Sequence, residues 1–239
     1  MSGTVGPRPE SIFNRFSFQF DGTDEYFNAG NNTDFNTSDT ISISAWFKTS
    51  QDATALQTIF SKTYWRLTLN DFSGGSRLLW SVYHTTTQLK QIITPIGIEY
   101  ADGQWHHVLC TYKSNTIGGM TMYVDGNLIG SVDTETQIQT STNPLLIGAR
   151  AISVLQPIEG NIDEVLFWDS DQSANASTIY NGGTPSNLSS LNPISWWRMG
   201  DAATWNGSVW TLTDQGSGGN NATSNGMDEN NRVLDTPLN

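Results

Sequence analysis

Cysteine is almost missing from this chain. Cys110 is the one cysteine in 239 residues, so no intrachain disulfide can form. Basic residues are scarce as well: 11 Lys and Arg stand against 23 Asp and Glu, for a net charge of −12. A chain this acidic, with no basic run, lacks the clustered cations that nucleic acid requires, and anionic membrane surfaces repel it. No run of about 18 apolar residues occurs, which excludes a transmembrane helix. The opening "MSGTVGPRPESIFN" has no apolar h-region, so no signal peptide is expected. Charged residues make up 14% and hydrophobic residues 36%, without the Lys, Glu, Ala and Leu excess of helical proteins. In their place stand Ser, Thr, Asn, Gln, 22 Gly and 11% aromatics, the composition of a β-protein with many turns. A β-domain of ~200–250 residues accommodates the whole length.

Short alternating runs recur along the chain with turn residues between them. "FSFQF" over residues 16–20 is followed by "EYFNAG". In "TISISAWFKT", Ile41, Ile43, Ala45 and Phe47 share one face and Trp46 takes the other. "LQTIFSK", "YWRLTLN", "RLLWSVYH", "QLKQIIT" and "QWHHVLCTY" follow, the last placing Cys110 as a small buried hydrophobe. "GMTMYVDGNLIGSV" predicts a hairpin turning at Asp125-Gly126-Asn127. After "PLLIGA" and "GNIDEVLFW" comes one helix-like piece, residues 173–181, stopped by Gly182-Gly183. "PISWWRM" and "SVWTLTD" predict two more aromatic strands. More than ten short strands with almost no helix predict an all-β sandwich, jelly roll or barrel. Residues 1–13, with Pro7 and Pro9, predict an extended arm.

Six of these segments, "FDGTDEYFNAG", "TISISAWFKT", "DGQWHHVLCTY", "MYVDGNLIGS", "LLIGA" and "GNIDEVLFWD", taken in order over residues 16–169, resemble the laminin-G-like and pentraxin-like branch of the concanavalin A-like superfamily. The resemblance implies a jelly-roll sandwich of two antiparallel sheets with about a dozen strands. Family members often carry a segment like "ISWWRMGD…WTLTDQGSGGNNATSNG" before the "FDG" strand; here it lies at residues 194–226. That order implies a circularly permuted chain or an appended partial second unit. The permuted reading uses every strand in one domain, residues 14–239, with 191–239 completing it.

"FDGTDEYF", "WWRMGD" and "TDQGSGGNNATSNGM" are also similar to virion proteins of marine phages. This resemblance implies a non-catalytic capsid decoration protein or a tail or fibre component. Such a protein is made in the host cytoplasm and released by lysis, without an export signal. Its partners would be other virion proteins, further copies of itself and host glycans. The alternative is a calcium-dependent carbohydrate-binding or adhesion module of a bacterial surface protein.

Each candidate for chemistry has a plain structural counterpart. Concanavalin-like glycosidases carry Glu-x-Asp-x-x-Glu, which is absent here. In "EGNIDEV", Asp163 and Glu164 are neighbours, so a regular strand points them to opposite faces and they cannot flank one glycosidic bond. His106 and His107 are separated by the same rule, and no zinc spacing is present. Asp21-Gly22 reads as an Asx-favoured turn. By resemblance, Asp21, Asp24 and Asp163 would instead hold a structural calcium with backbone carbonyls. Among nine tryptophans, Trp46, Trp105 and Trp168 are assigned to the core or its near surroundings, and Trp196-Trp197 face opposite ways. Tyr64, Trp65, Trp80 and Tyr83 are the candidates for stacking on a sugar ring, with packing as the alternative for each.

Overall fold

The computed structural model describes residues 12–50, 56–71, 76–84 and 88–237. Of the N-terminal arm, residues 1–11 lie outside the described residues. In chain order the strands are β1 (Ser17–Asp21), β2 (Tyr26–Asn28), β3 (Thr40–Lys48), β4 (Gln57–Lys62), β5 (Trp65–Asp71), β6 (Ser76–Tyr83), β7 (Leu89–Ile93), β8 (Trp105–Lys113) and β9 (Met120–Val124). They continue with β10 (Asn127–Val132), β11 (Leu146–Ile147), β12 (Glu159–Trp168), β13 (Ser195–Trp197), β14 (Ala203–Trp205), β15 (Trp210–Leu212), β16 (Ala222–Asn225) and β17 (Arg232–Val233). One short helix, α1 (Ala176–Tyr180), interrupts them.

All pairings are antiparallel, and they build two sheets. The first runs β10-β9-β8-β3-β12-β1-β17, with β13 also on β12; the second runs β14-β15-β16-β2-β11-β4-β5-β6-β7. The chain is thus an antiparallel β-sandwich, as the sequence predicts. The C-terminal strands are spread over both sheets: β13 pairs with β12, β17 with β1 and β16 with β2. Asn14 and Thr236 lie side by side, joined by the Thr236 hydroxyl donating to the Asn14 carbonyl at 3.4 Å.

The alternation in β1 and β3 turns Phe18, Phe20, Ile41, Ile43, Ala45 and Phe47 into the space between the sheets. Rings dominate that space. Phe18 meets Trp210 edge-on at 5.2 Å, and Trp65 from the second sheet stacks on Phe167 of the first at 6.0 Å. Burying an indole leaves an N–H to satisfy. Trp80 on β6 does so across the sandwich by donating to the Thr111 carbonyl on β8 at 3.0 Å.

Residues 170–191 form a partial third layer over the first sheet. Ser42 donates to the Ser170 carbonyl at 2.7 Å, and Ile179, Leu188, Trp168 and Trp196 form a second apolar cluster there. Trp46 faces this layer, stacked 5.8 Å from Tyr180. Trp197 points the other way into the main core, so the adjacent tryptophans divide as the alternation predicts, with both buried.

The β9–β10 turn has Asp125 at φ 49° and Gly126 at φ 75°, the two positive values of a primed hairpin turn. A Cβ on Gly126 would also lie 2.7 Å from Tyr180 Cδ1. Gly126→Ala is therefore expected to lower stability by about 1–3 kcal/mol. Thermal melting checks this, at roughly 2–4 °C per kcal/mol for a chain of this size; an unchanged Tm would show that the turn and Tyr180 adjust freely.

Candidate functional site

The acidic corner after β1 satisfies itself. Asp21 Oδ1 accepts from Thr23 N at 2.8 Å, an Asx turn. Glu25 Oε2 accepts from Asp21 N at 2.6 Å and Oε1 from Asn231 Nδ2 at 2.8 Å. Burial raises the Glu25 pKa against those bonds. Asp163 is elsewhere. Asp21 pairs with Glu159 on β12, and Asp163 stands four residues further along that strand, roughly 13 Å away at strand spacing. Asp21, Asp24 and Asp163 therefore do not converge, and they do not fit as one calcium ligand set. Among the described residues no group of three or more His, Cys, Asp or Glu is placed to hold a metal ion.

The acidic pair on β12 departs from a regular strand. The register slips between Asp163 and Leu166, and Glu164 takes φ 45°, a β-bulge. Both carboxyls are buried, at 0% and 3% exposure. Glu164 accepts from Trp196 Nε1 at 2.5 Å and from Arg198 Nε at 3.1 Å. Asp163 accepts from Asn14 Nδ2 at 2.8 Å and from Glu164 N at 2.9 Å. Burial raises both pKa values, and the Glu164 charge raises that of Asp163 further. The Arg198 cation beside Glu164 opposes that rise, so the stronger upward shift falls on Asp163. Nearby, Asp201 accepts from the backbone of Arg15 and Phe16, and Arg198 donates to the Phe13 carbonyl. These acids thus anchor residues 13–16 to the sandwich.

His106 and His107 face opposite sides of β8, as the alternation predicts. His106 bonds Asp125 at 2.8 Å and Asp102 at 3.2 Å; burial lowers its pKa, but these two carboxylates outweigh burial and raise it. Burial of His107 brings its pKa down to about 4.

The four sugar-stacking candidates separate. Trp65 and Trp80 belong to the core between the sheets and present no face to a ligand, because their alternation phase is that of Leu67 and Val82. Tyr64 and Tyr83 are half-buried and adjacent, with Tyr83 N donating to the Tyr64 carbonyl at 2.7 Å. Tyr64 packs against the core, whereas Tyr83 stands on the outer face of β6.

Beside Tyr83 the fold brings in two residues that pattern reading missed. Arg66, between core residues Trp65 and Leu67, points outward from β5. Its guanidinium lies 5.3 Å from the Tyr83 ring centre and donates from Nη2 to the Tyr83 hydroxyl at 3.2 Å. Arg150 arrives on the turn after β11. Ser61 on β4 holds that turn, donating to the Ala149 carbonyl at 3.0 Å and accepting from Ala151 N at 2.7 Å. Arg150 N closes the turn onto the Leu155 carbonyl at 2.8 Å. Burial lowers the Arg150 pKa, and the charge of neighbouring Arg66 lowers it further. Along the same face the register sets Ser61, Arg66, Ser81 and Gln91 in one polar row across four strands.

Two face-to-face antiparallel sheets around one aromatic core make the chain a β-sandwich, and the family match places it in the concanavalin A-like class. The chain belongs to its Laminin_G_3 family, described as the concanavalin A-like lectin/glucanases superfamily, which matches residues 21–176. Strands β13–β17 lie beyond that match.

No curated protein matches the sequence. A Bacteroides ovatus structure described as a candidate carbohydrate-binding protein superimposes with a TM-score of 0.69 at 16% identity, over 95% of this chain and 62% of that one. This chain thus spans about three-fifths of that protein. A heptameric SAP-like pentraxin from Limulus polyphemus gives 0.52 at 19% identity, over 70% of this chain and 82% of that one. The CBM40 of a Ruminococcus gnavus sialidase, bound to α2,3-sialyllactose, gives 0.51 at 13% identity, over 64% of this chain and 90% of that one. At these identities the likeness is one of fold.

The buried pair yields a pH prediction. An Asp163 that stays protonated in the fold and ionises near pH 4 when unfolded makes the folded state bind more protons above that pH. Stability then declines as pH rises from about 4. Asp163→Asn keeps the shape without the titration, and Asn14 can present either end of its amide to it. The variant's Tm is expected to fall less than wild type's between pH 5 and 8. Parallel Tm–pH curves would show Asp163 ionised in the fold.

Proposed function

We propose that this domain is a non-catalytic recognition module that binds glycan on the outer face of β5 and β6, centred on Tyr83. The observation that carries this reading is the grouping of a half-buried Tyr83 ring with the donors of Arg66 and Arg150 on a rigid sheet face. An aromatic ring offers a sugar its apolar face, and fixed donors around it orient the hydroxyls. The family and the fold likeness to carbohydrate-binding proteins support it. Burial of Asp163 and Glu164, both held by structural donors, supports the absence of catalysis, because neither carboxyl is free to reach a scissile bond. On a glycan array the wild-type domain is expected to retain a defined set of oligosaccharides, and Tyr83→Ala to weaken them about tenfold, the ~1–1.5 kcal/mol of one aromatic contact. Shortened products after incubation with a bound oligosaccharide would overturn the non-catalytic reading.

For the setting we propose a virion surface, as a capsid decoration or tail component; the likeness of residues 20–27 and 196–227 to phage virion segments supports it. Immunogold microscopy of lysate particles is expected to place gold on shell or tail, and unlabelled particles would return the adhesion-module alternative.

A further inference from the structure

The two arginines beside Tyr83 carry more information than the ring. Among the described residues three Lys or Arg side chains pair with a carboxylate. Lys48 pairs with Asp235, Lys90 with Glu135 and Arg198 with Glu164. Arg66 and Arg150 do not. Among the described residues neither makes an ion pair with Asp or Glu. The register sets Arg66 beside Ser61, whose hydroxyl holds the Arg150 turn, close enough that the Arg66 charge lowers the Arg150 pKa, and Arg150 Nε is buried with no hydrogen-bond partner. Holding two like charges together on a half-buried face is unfavourable, as is an unmet buried donor. The turn that imposes this arrangement is itself deliberate: two bonds to the Ser61 hydroxyl seat it on β4, and left-handed Ser153, Val154 and Gln156 follow.

We infer that Arg66 and Arg150 form a subsite for a carboxylate, and that the glycan recognised on this face is an acidic sugar such as a hexuronate or a nonulosonate. The inference rests on the glycan-binding reading above. A planar guanidinium offers parallel N–H donors that match the two coplanar oxygens of a carboxylate. One such group between the arginines neutralises their repulsion. The sugar ring that bears it then lies beside Tyr83, already oriented by the Arg66 bond to the phenol. Since the rest of the protein is acidic, it repels such polymers everywhere else, and binding is confined to this face.

The test uses the whole chain and calorimetric titration. The probes are oligogalacturonate, oligoalginate, a glucuronate oligosaccharide and sialyllactose, each beside its methyl ester or neutral counterpart, with a sulfated oligosaccharide as contrast. At least one carboxylate probe is expected to bind, its neutral counterpart at least tenfold more weakly. Arg66→Gln and Arg150→Gln should each lose at least tenfold at unchanged Tm, and Arg150→Lys should recover only part of that loss. Equal binding of acid and neutral forms, or variants that bind like wild type, overturns the carboxylate subsite and leaves glycan binding standing. Binding of the sulfated probe alone also overturns it. If no oligosaccharide of any kind binds, the glycan reading itself falls. The acid-to-neutral comparison needs no variant, so a poorly folded substitution would not blunt the test.

Discussion

Two twisted sheets packed face to face stand about 10 Å apart, and side chains must fill the gap without leaving buried polar groups unmet. In this chain aromatic rings meet that constraint. They have the volume to span the gap, and the indole nitrogens find carbonyls at its walls: Trp80 reaches Thr111, Trp197 reaches Asn220 and Trp210 reaches Asp228. With a single cysteine, no disulfide supplements them. The rigidity of the outer faces follows from this interior. A strand whose inward residues are held in close ring packing keeps its position, so its outward residues hold fixed spacings. Arg66 owes its place to Trp65 and Leu67 on either side of it.

Much of the fold was legible in the sequence because its signals are local. The alternation of β1 and β3, the hairpin at Asp125-Gly126 and the opposite facing of Trp196 and Trp197 each depend on a few consecutive residues. Alternation, however, says only that neighbours face opposite ways. Whether the outward face meets solvent depends on what folds over it later in the chain. Trp46 and Trp196 point away from the main core and are still buried, because residues 170–191 cover them. Trp65 and Trp80 were misjudged for the converse reason: a run of large side chains on both phases does not say which phase is the interior.

The candidate site was less legible, and the reasons are specific. Tyr83 could be singled out as a free aromatic, but Arg150 could not be placed beside it. It comes 67 residues later, and no periodicity connects a turn to a strand that far away. The β12 bulge hid the fate of Asp163 and Glu164 in a similar way. A strand rule treats them as facing apart, whereas both are buried at the bulge. There a pair of acids that resembles catalytic equipment is an anchor for residues 13–16.

The sandwich is entered and left at one place. Asn14 and Thr236 meet beside β1 and β17. Strand β7 borders the other side of the sandwich, where Ile92 fits against Gly130 of β10. The margin at β1 and β17 is thus the handle of a paddle, and β7 and β10 lie at the far edge of the blade. The face that carries Arg150, Arg66 and Tyr83 runs from the middle of that blade at β11 toward β6, away from the handle.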